Sequence, residues 1–298
     1  MGMLIHTDSA VKTMYETILV GFDESDSSKA ALSEAAHWIK RHGGKIILVH
    51  AVYFDEEEFG IAPDQLDRRL KVGEKICVQA KESLATGLGI EVHSLLCEGD
   101  PPEVIQDVAK GKKADLIVLG TYGRKGLKRL LMGSVTSQVI VNSPTDVLVV
   151  KKQCIECSGT YRSILVPFDG SVSSERALAR ACHLSKTDNG EITALYVIPR
   201  YEEMVEFFRT TSIQKSLHLE AQKIIHKAKE LASGENVSIK TLIDEGNAGE
   251  KIIETAGLNS SDLVVMGASG WRGVNRAIMG SSTERVIIHA TCPVLVVR

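Results

Sequence analysis

Two aspartates, Asp23 and Asp169, each stand three residues beyond a short apolar run, Ile18-Leu19-Val20 and Ile164-Leu165-Val166. Each is followed by serines, Ser25, Ser27 and Ser28 in one case and Ser171, Ser173 and Ser174 in the other. A carboxylate leaving a strand can hold a ribose hydroxyl or a metal-bound phosphate. The serines read as helix caps, because their hydroxyls accept hydrogen bonds from unpaired amides of a first helical turn. A second spacing is more distinctive. Gly120-Thr121-Tyr122-Gly123 is followed by nine residues and then by Gly133-Ser134, with Thr136 two positions on. Gly267-Ala268-Ser269-Gly270 is followed by nine residues and then by Gly280-Ser281, with Thr283 two positions on. Glycines let backbone amides approach an anion closely. A Gly-Ser step opening a helix adds the helix dipole and a hydroxyl, which together make a phosphate-sized anion site. The alternative is that these glycines only turn the chain, and duplication would copy structural glycines as faithfully as functional ones. Arg124, Lys125, Lys128 and Arg129 fall inside the first nine-residue interval or beside it, and Arg272 and Arg276 inside the second.

Both constellations occur twice because the chain repeats itself. The 26 residues from Tyr15 match those from Tyr161 at fourteen positions, and the 38 residues from Ala114 match those from Ser261 at 17. The offset is 146 at the start and 147 at the end, which is too long for a solenoid repeat and indicates a duplicated globular domain. The boundaries read as an extension over 1–12, a first domain over 13–152, a short polar linker over 153–160 and a second domain over 161–298. Within each half, apolar strands alternate with helical stretches. Strands are expected at Ile18–Val20, Lys45–Val52, Glu91–Cys97, Asp115–Leu119 and Val147–Lys151, and again at Ser163–Val166, Glu191–Val197, Val237–Ile243, Leu263–Met266 and Val294–Val297. Helices are expected at Ser28–Arg41, Pro102–Lys110 and Ser134–Val141. Continuous apolar strands separated by helices imply a parallel sheet covered on both faces. The fold class is therefore α/β, two tandem doubly wound five-stranded domains, whose ligands belong beyond the carboxyl ends of the strands where the strand order reverses.

Composition narrows the field. With 35 Lys+Arg against 38 Asp+Glu, the net charge of -3 recruits neither nucleic acid nor an anionic membrane. No apolar run reaches the roughly 18–20 residues that span a bilayer, and Met1 to Thr13 lacks the apolar stretch of a secretion signal, so a cytoplasmic location is expected. Cys77, Cys97, Cys182 and Cys292 are scattered among apolar or helical segments, as free thiols are. Cys154 and Cys157 form a lone C-x-x-C in the linker without a second ligand pair, so no metal site is assigned.

The G-x-x-G, nine residues, G-S pattern, set after a strand ending in glycine and downstream of a strand-tip aspartate, resembles the nucleotide-binding signature of the universal stress protein family. The resemblance covers the whole chain apart from the first dozen residues and the linker, and it is to the tandem, ATP-binding members. It implies a Rossmann-like domain of the adenine nucleotide alpha hydrolase type. It also implies that Asp23, Ala51, Gly120, Gly123, Gly133, Ser134, Val135 and Thr136 hold an adenine nucleotide in the first domain. In the second domain it implies Asp169, Val197, Gly267, Gly270, Gly280, Ser281, Ser282 and Thr283. The loops Gly99–Glu103 and Gly246–Glu250 resemble the family's G-x-P-x-E loop beside the adenine, the second without its proline. Gly21 stands where the second domain has Pro167. The cofactor implied is ATP or AMP, with Mg²⁺ accompanying the phosphates. The resemblance further implies that the last strands, Val147–Val150 and Val294–Val297, pair as an internal pseudo-twofold dimer, that two chains associate further, and that an unidentified protein partner reads the bound state.

Catalysis has little support. No Walker-type loop or H-x-G-H motif occurs, His37 and His183 match between copies on a helix with apolar neighbours, and Tyr122 is replaced by Ser269. Trp271 reads as a loop aromatic, and Asp55 to Lys71 as a solvated helix or a flap. The leading reading is a nucleotide sensor in stress signalling with no catalytic residue. A slow ATPase or nucleotidyl transferase using the same pocket, or a scaffold that binds no nucleotide, are the alternatives.

Overall fold

The computed structural model describes residues 14–53, 64–122, 132–151, 159–199, 211–268 and 279–298. Among the described residues ten strands form one sheet: β1 (Thr17–Gly21), β2 (Lys45–Val52), β3 (Val92–Glu98), β4 (Leu116–Gly120), β5 (Asp146–Val150), β6 (Ser163–Pro167), β7 (Glu191–Pro199), β8 (Ile239–Gly246), β9 (Leu263–Gly267) and β10 (Val294–Val297). Eight described helices connect them: α1 (Asp26–His42), α2 (Asp64–Leu88), α3 (Pro101–Lys112), α4 (Ser134–Asn142), α5 (Val172–Asp188), α6 (Thr211–Gly234), α7 (Ala248–Leu258) and α8 (Ser281–His289). The spatial order is β3-β2-β1-β4-β5-β10-β9-β6-β7-β8. Each half is a parallel five-stranded sheet whose order reverses beside its first strand, with β1 between β2 and β4 and β6 between β7 and β9.

The strands are apolar throughout because both faces are covered. Ile18 and Val20 face one core layer with α1, α2, α5 and α6, while Leu19 between them faces the other. The two halves meet through β5 and β10, which pair antiparallel with Leu148 opposite Leu295. That is the internal pairing of last strands, and it gives each apolar edge a partner instead of water.

Buried polar groups fix the junction. Asp146, 2% exposed, accepts hydrogen bonds from Tyr15 Oη at 2.9 Å and from the Arg298 amide at 3.1 Å, and Arg180 Nε lies 2.7 Å from its Oδ2. Tyr161 Oη donates to the buried Glu34 at 2.5 Å. Trp38 packs between the Tyr15 and Tyr161 rings, at centroid distances of 5.8 and 6.1 Å. Arg180 and Glu34 occupy equivalent positions in the two copies, so the repeat has diverged into opposite charges where its halves touch.

Most element boundaries lie one to three residues from those expected on sequence. The clearest shift is at β8, expected to begin at Val237 and beginning at Ile239. Val237 is occupied by a turn: its amide donates to Ala232 O at 2.9 Å, beside Asn236 in the left-handed region at φ 58°. β8 is an edge strand with Leu242 and Ile243 exposed, so it lacks the unbroken burial that marks the inner strands. Among the described residues Cys77, Cys97, Cys182 and Cys292 form no disulfide. Cys154, Cys157 and Trp271 lie outside the described residues, as does the first part of the Asp55–Lys71 stretch; its remainder begins α2.

Candidate functional site

The strand tips on either side of each order reversal are held by short-range bonds that the sequence builds twice. Phe22 donates its amide to Val49 O at 2.9 Å, and Phe168 donates to Leu195 O at 2.8 Å, which sets the exit of β1 on β2 and of β6 on β7. Next come Asp23 and Asp169, both half-buried. Asp23 Oδ1 accepts from the Ser25 amide at 3.0 Å and the Ser25 hydroxyl at 2.6 Å, and Asp169 Oδ1 accepts from the Ser171 amide at 3.0 Å. These aspartates therefore form turns that swing the chain from strand to helix. Between aspartate and serine the chain passes through the left-handed region, at Glu24 (φ 64°) and at Gly170 (φ 80°). Ser25 and Ser171 then cap α1 and α5, accepting from Ser28 N and Ser174 N at 3.2 Å each. The capping reading of these serines is thus the structural one.

Gly120 and Gly267 end β4 and β9 directly against those caps. A β-carbon on Gly120 would lie 2.6 Å from the Ser27 backbone carbon and Oγ, and one on Gly267 would lie 2.5 Å from Ser173 Cβ. These two glycines permit close helix–strand approach, a third purpose beside turning the chain and admitting an anion. Ser27 donates its hydroxyl to Tyr122 O, and Ser25 reaches the same carbonyl at 3.2 Å, so the start of the following loop is strapped to α1.

The described ends of each loop are bonded to each other, and each such loop is termed an arch. The Gly133 amide donates to Thr121 O at 3.0 Å, and the Gly280 amide donates to Ala268 O at 3.1 Å. Each arch delivers the chain into a helix whose N-cap is glycine in an extended conformation, Gly133 at φ -61° and Gly280 at φ -65°, with no side-chain cap on either helix. Ser137 N and Glu284 N close the first turns onto Gly133 O and Gly280 O, each at 3.0 Å. The amides of Ser134, Val135 and Thr136, and of Ser281, Ser282 and Thr283, precede that first intrahelical bond and form the positive end of the helix. Ser134 and Ser281 are exposed, and Val135 and Ser282 half-exposed. Thr136 and Thr283 are buried, and their hydroxyls donate back to Gly120 O at 2.8 Å and Gly267 O at 3.2 Å. Their side chains fasten helix to strand, while their amides belong to the helix terminus.

Ala51 and Val197 lie half-buried near the ends of β2 and β7. The loops beyond β3 and β8 turn on Gly99 (φ 133°) and Gly246 (φ 147°), a region L side chains rarely adopt. Where α3 opens with proline, α7 has none, and Asn247 caps it by accepting from Glu250 N at 3.2 Å. Gly123 and Gly270 lie outside the described residues, with Arg124, Lys125, Lys128, Arg129, Arg272 and Arg276.

The structure therefore brings Asp23, Gly120, Gly133, Ser134, Val135 and Thr136 into one connected cluster, and their second-domain equivalents into another. Two contributors escape a reading of the sequence. Ser27 reads there only as a possible cap, and it straps the arch. His50, 9% exposed on β2 beside Ala51, donates Nδ1–H to Phe22 O at 2.6 Å and fixes the tip that carries Asp23. Neither has a local sequence signal, since both bonds join segments that only the sheet order makes neighbours. The two clusters also differ. Ser137 in the first turn of α4 is replaced by Glu284 in that of α8, where its charge complements the helix dipole and opposes an incoming anion.

The groups gathered at these tips are backbone amides, hydroxyls and carboxylates engaged in turns, a set suited to binding an anion next to small apolar surface. Among the described residues no group of three His, Cys, Asp or Glu side chains could hold a metal ion, and no helix is long and apolar enough to cross a membrane.

A family model, described as the universal stress protein family, matches residues 14–151 and again residues 160–298. A universal stress protein of Thermus aquaticus, from the region 3′ of a QAH/OAS sulfhydrylase, is 38% identical over 143 residues, which is 46% of this chain and 100% of that protein. The universal stress protein MJ0531 of Methanocaldococcus jannaschii is 35% identical over 144 residues, 46% of this chain and 82% of that protein. Among solved structures, a universal stress protein from Archaeoglobus fulgidus DSM 4304 superposes with a TM-score of 0.73 at 22% identity, covering 96% of this chain and 98% of that one. That likeness extends the shared fold across both halves.

Proposed function

This chain belongs to the universal stress protein family, and on that premise we propose that it binds an adenine nucleotide, ATP or AMP, and works as a cytoplasmic sensor in a stress response. The observation that carries the reading is the pair of uncapped helix N-termini, α4 and α8, each presented by an arch with hydrogen-bonded feet. A glycine N-cap puts no side chain in front of the first-turn amides, and those amides with the adjacent serine hydroxyl suit a phosphate. In this reading Ser134, Val135 and Thr136 hold the phosphates in the first domain, with Ser281, Ser282 and Thr283 in the second. Gly123 and Gly270 are assigned to the same two sites. Asp23 and Asp169 face the ribose, and Ala51 and Val197 flank the base. Mg²⁺ is assigned to the phosphates. The nucleotide supplies negative charge that suits the positive helix termini. No nucleophile or proton-transfer pair is required, so the role is binding, with the loaded state read by a protein partner.

Glu284 makes the two sites unequal. A carboxylate in the first turn of α8 lowers the pull of that terminus on a phosphate, so the first domain binds more tightly. The reading is tested by denaturing the freshly purified chain and identifying what it releases by mass spectrometry, then refilling it with ATP. An adenine nucleotide released or rebound supports it. No release, and no binding at about millimolar ATP where even a weak site would begin to fill, overturns it.

A further inference from the structure

A second feature lies away from both strand-tip clusters. A cleft of about 280 Å³ opens where the halves join, lined by Arg176, Ala179, Arg180 and His183 of α5, by Glu235, and by Met14, Val297 and Arg298 on the facing wall. The α5 residues recur at the spacing that places side chains on one helical face. Three arginines converge on it. Arg180 commits Nε to Asp146, and Arg298 donates Nε to Ser143 O at 3.2 Å and Nη2 to Val141 O at 2.8 Å, so two of the guanidinium groups are held in place by the junction. Arg176 makes no ion pair among the described residues. The acids nearby are engaged: Asp146 by Tyr15, Arg180 and Arg298, and Glu235 by Lys186 at 3.1 Å.

The arginines of the α5 wall belong to one copy of the repeat. Positions equivalent to Arg176, Ala179 and Arg180 carry Ala30, Ser33 and Glu34 in the first domain, so that two cations become an alanine and an acid. His37 and His183 alone are shared there. His37 is bonded within its own helix, Nδ1 to Ser33 O at 2.8 Å, whereas His183 lines the cleft.

We propose that this cleft is a ligand site distinct from the nucleotide sites, taking a small doubly charged oxyanion, with the Arg176 and Arg180 guanidinium groups on one wall, Arg298 on the other and His183 as a further donor. Planar guanidinium forks match phosphate and carboxylate oxygens alike, so the shared chemistry is a dianion such as a phosphomonoester or a dicarboxylate. The volume is at the small end of ligand pockets, which suits a compact metabolite. Burial, with Lys186 and Arg180 nearby, holds the His183 imidazole below its ordinary range against the opposing pull of Glu235. A bound dianion would raise it again, acting with the acid Glu235 and against the cations Arg176, Arg180, Arg298 and Lys186 around the cleft.

The probes are inorganic phosphate and succinate, each added without nucleotide to the full chain at about 10 mM, where a millimolar site is mostly filled. The readout is the NMR titration midpoint of His183, assigned against His183→Gln. In the wild type either anion moves that midpoint upward, and its concentration dependence gives the dissociation constant. Arg176→Ala, at a position on the rim of the cleft, weakens it by roughly fivefold to tenfold, the loss expected for one charge-assisted contact. Response to phosphate alone assigns a phosphate ligand, to succinate alone a dicarboxylate, and to both a site that reads charge; each supports the proposal. An unmoved midpoint with both anions, or an equal response in Arg176→Ala, overturns it. Because nucleotide is absent and the reporter is His183, failure here is separate from failure of the nucleotide reading.

Discussion

Gly120→Ala and Gly111→Ala are the same chemical change with opposite expected signs. At Gly120 the added methyl would lie 2.6 Å from the backbone of Ser27 and 2.8 Å from its Cβ, inside van der Waals contact. The obstacle is the capped first turn of α1, which cannot move without losing the Ser27 bond to Tyr122 and disturbing the Thr136 bond to Gly120 O. Overpacking of this kind costs about 1–3 kcal/mol. At Gly111, in the last turn of α3, an added methyl would meet no heavy atom within 4 Å, and alanine is the better helix former by roughly 0.5–1 kcal/mol. For a domain of this size each kcal/mol moves Tm by about 2–4 °C. Calorimetry should therefore show the Gly120→Ala transition lowered by about 2–12 °C and the Gly111→Ala transition raised by about 1–4 °C. ATP titration should show the first site weakened in Gly120→Ala alone, because only that change pushes the arch foot off α1. A Gly120→Ala protein with unchanged Tm and unchanged ATP binding would refute the reasoning: α1 would not be resting on the tip of β4.

Three further outcomes are expected. Asp146→Ala leaves the buried Tyr15 hydroxyl without its acceptor and half-exposed Arg180 without its carboxylate; we expect a loss of about 2–3 kcal/mol in urea unfolding, against about 1 kcal/mol for Tyr15→Phe, and equal losses would contradict the junction network. His42 and His183 are both held below their ordinary value of 6.5, mainly by burial, so the unfolded chain takes up their protons first. Stability should be full above that value and decline as pH falls below it, less steeply in a His42→Gln, His183→Gln protein, as urea midpoints across that range would show. Lys113 ends α3 in the left-handed region at φ 51°, and Lys113→Gly should raise stability by about 1 kcal/mol; a decrease would mean that its side chain supports the fold.

The inner strands are legible in the sequence because they are buried on both faces: an unbroken run such as Leu116-Ile117-Val118-Leu119 has few other uses. The edge strand β8 reads too early because its exposed residues and the turn at Asn236 blur that signal. The duplication doubles the signal for fold and site alike. What it cannot separate is the purpose of the repeated glycines: Gly120 and Gly267 are demanded by packing, while Gly133 and Gly280 shape uncapped helix ends, and all four repeat equally well. Contacts between distant segments stay hidden for a physical reason. Ser27 with Tyr122, His50 with Phe22, and Asp115 Oδ2 accepting from the Thr17 amide at 2.9 Å each depend on which strands lie side by side, which is a property of the sheet and not of any local stretch. The cleft at the junction is invisible for the same reason, since Arg176 and Arg298 are separated by most of the second domain.

The most direct measurement is the stoichiometry of ATP bound to the full chain by titration calorimetry, repeated in Gly133→Val and Gly280→Val. A valine at either N-cap places a branched side chain before the first-turn amides. The account predicts two sites per chain, the tighter one lost in Gly133→Val and the weaker one lost in Gly280→Val. Undiminished binding in both variants, or none in the wild type at about millimolar ATP, would contradict it.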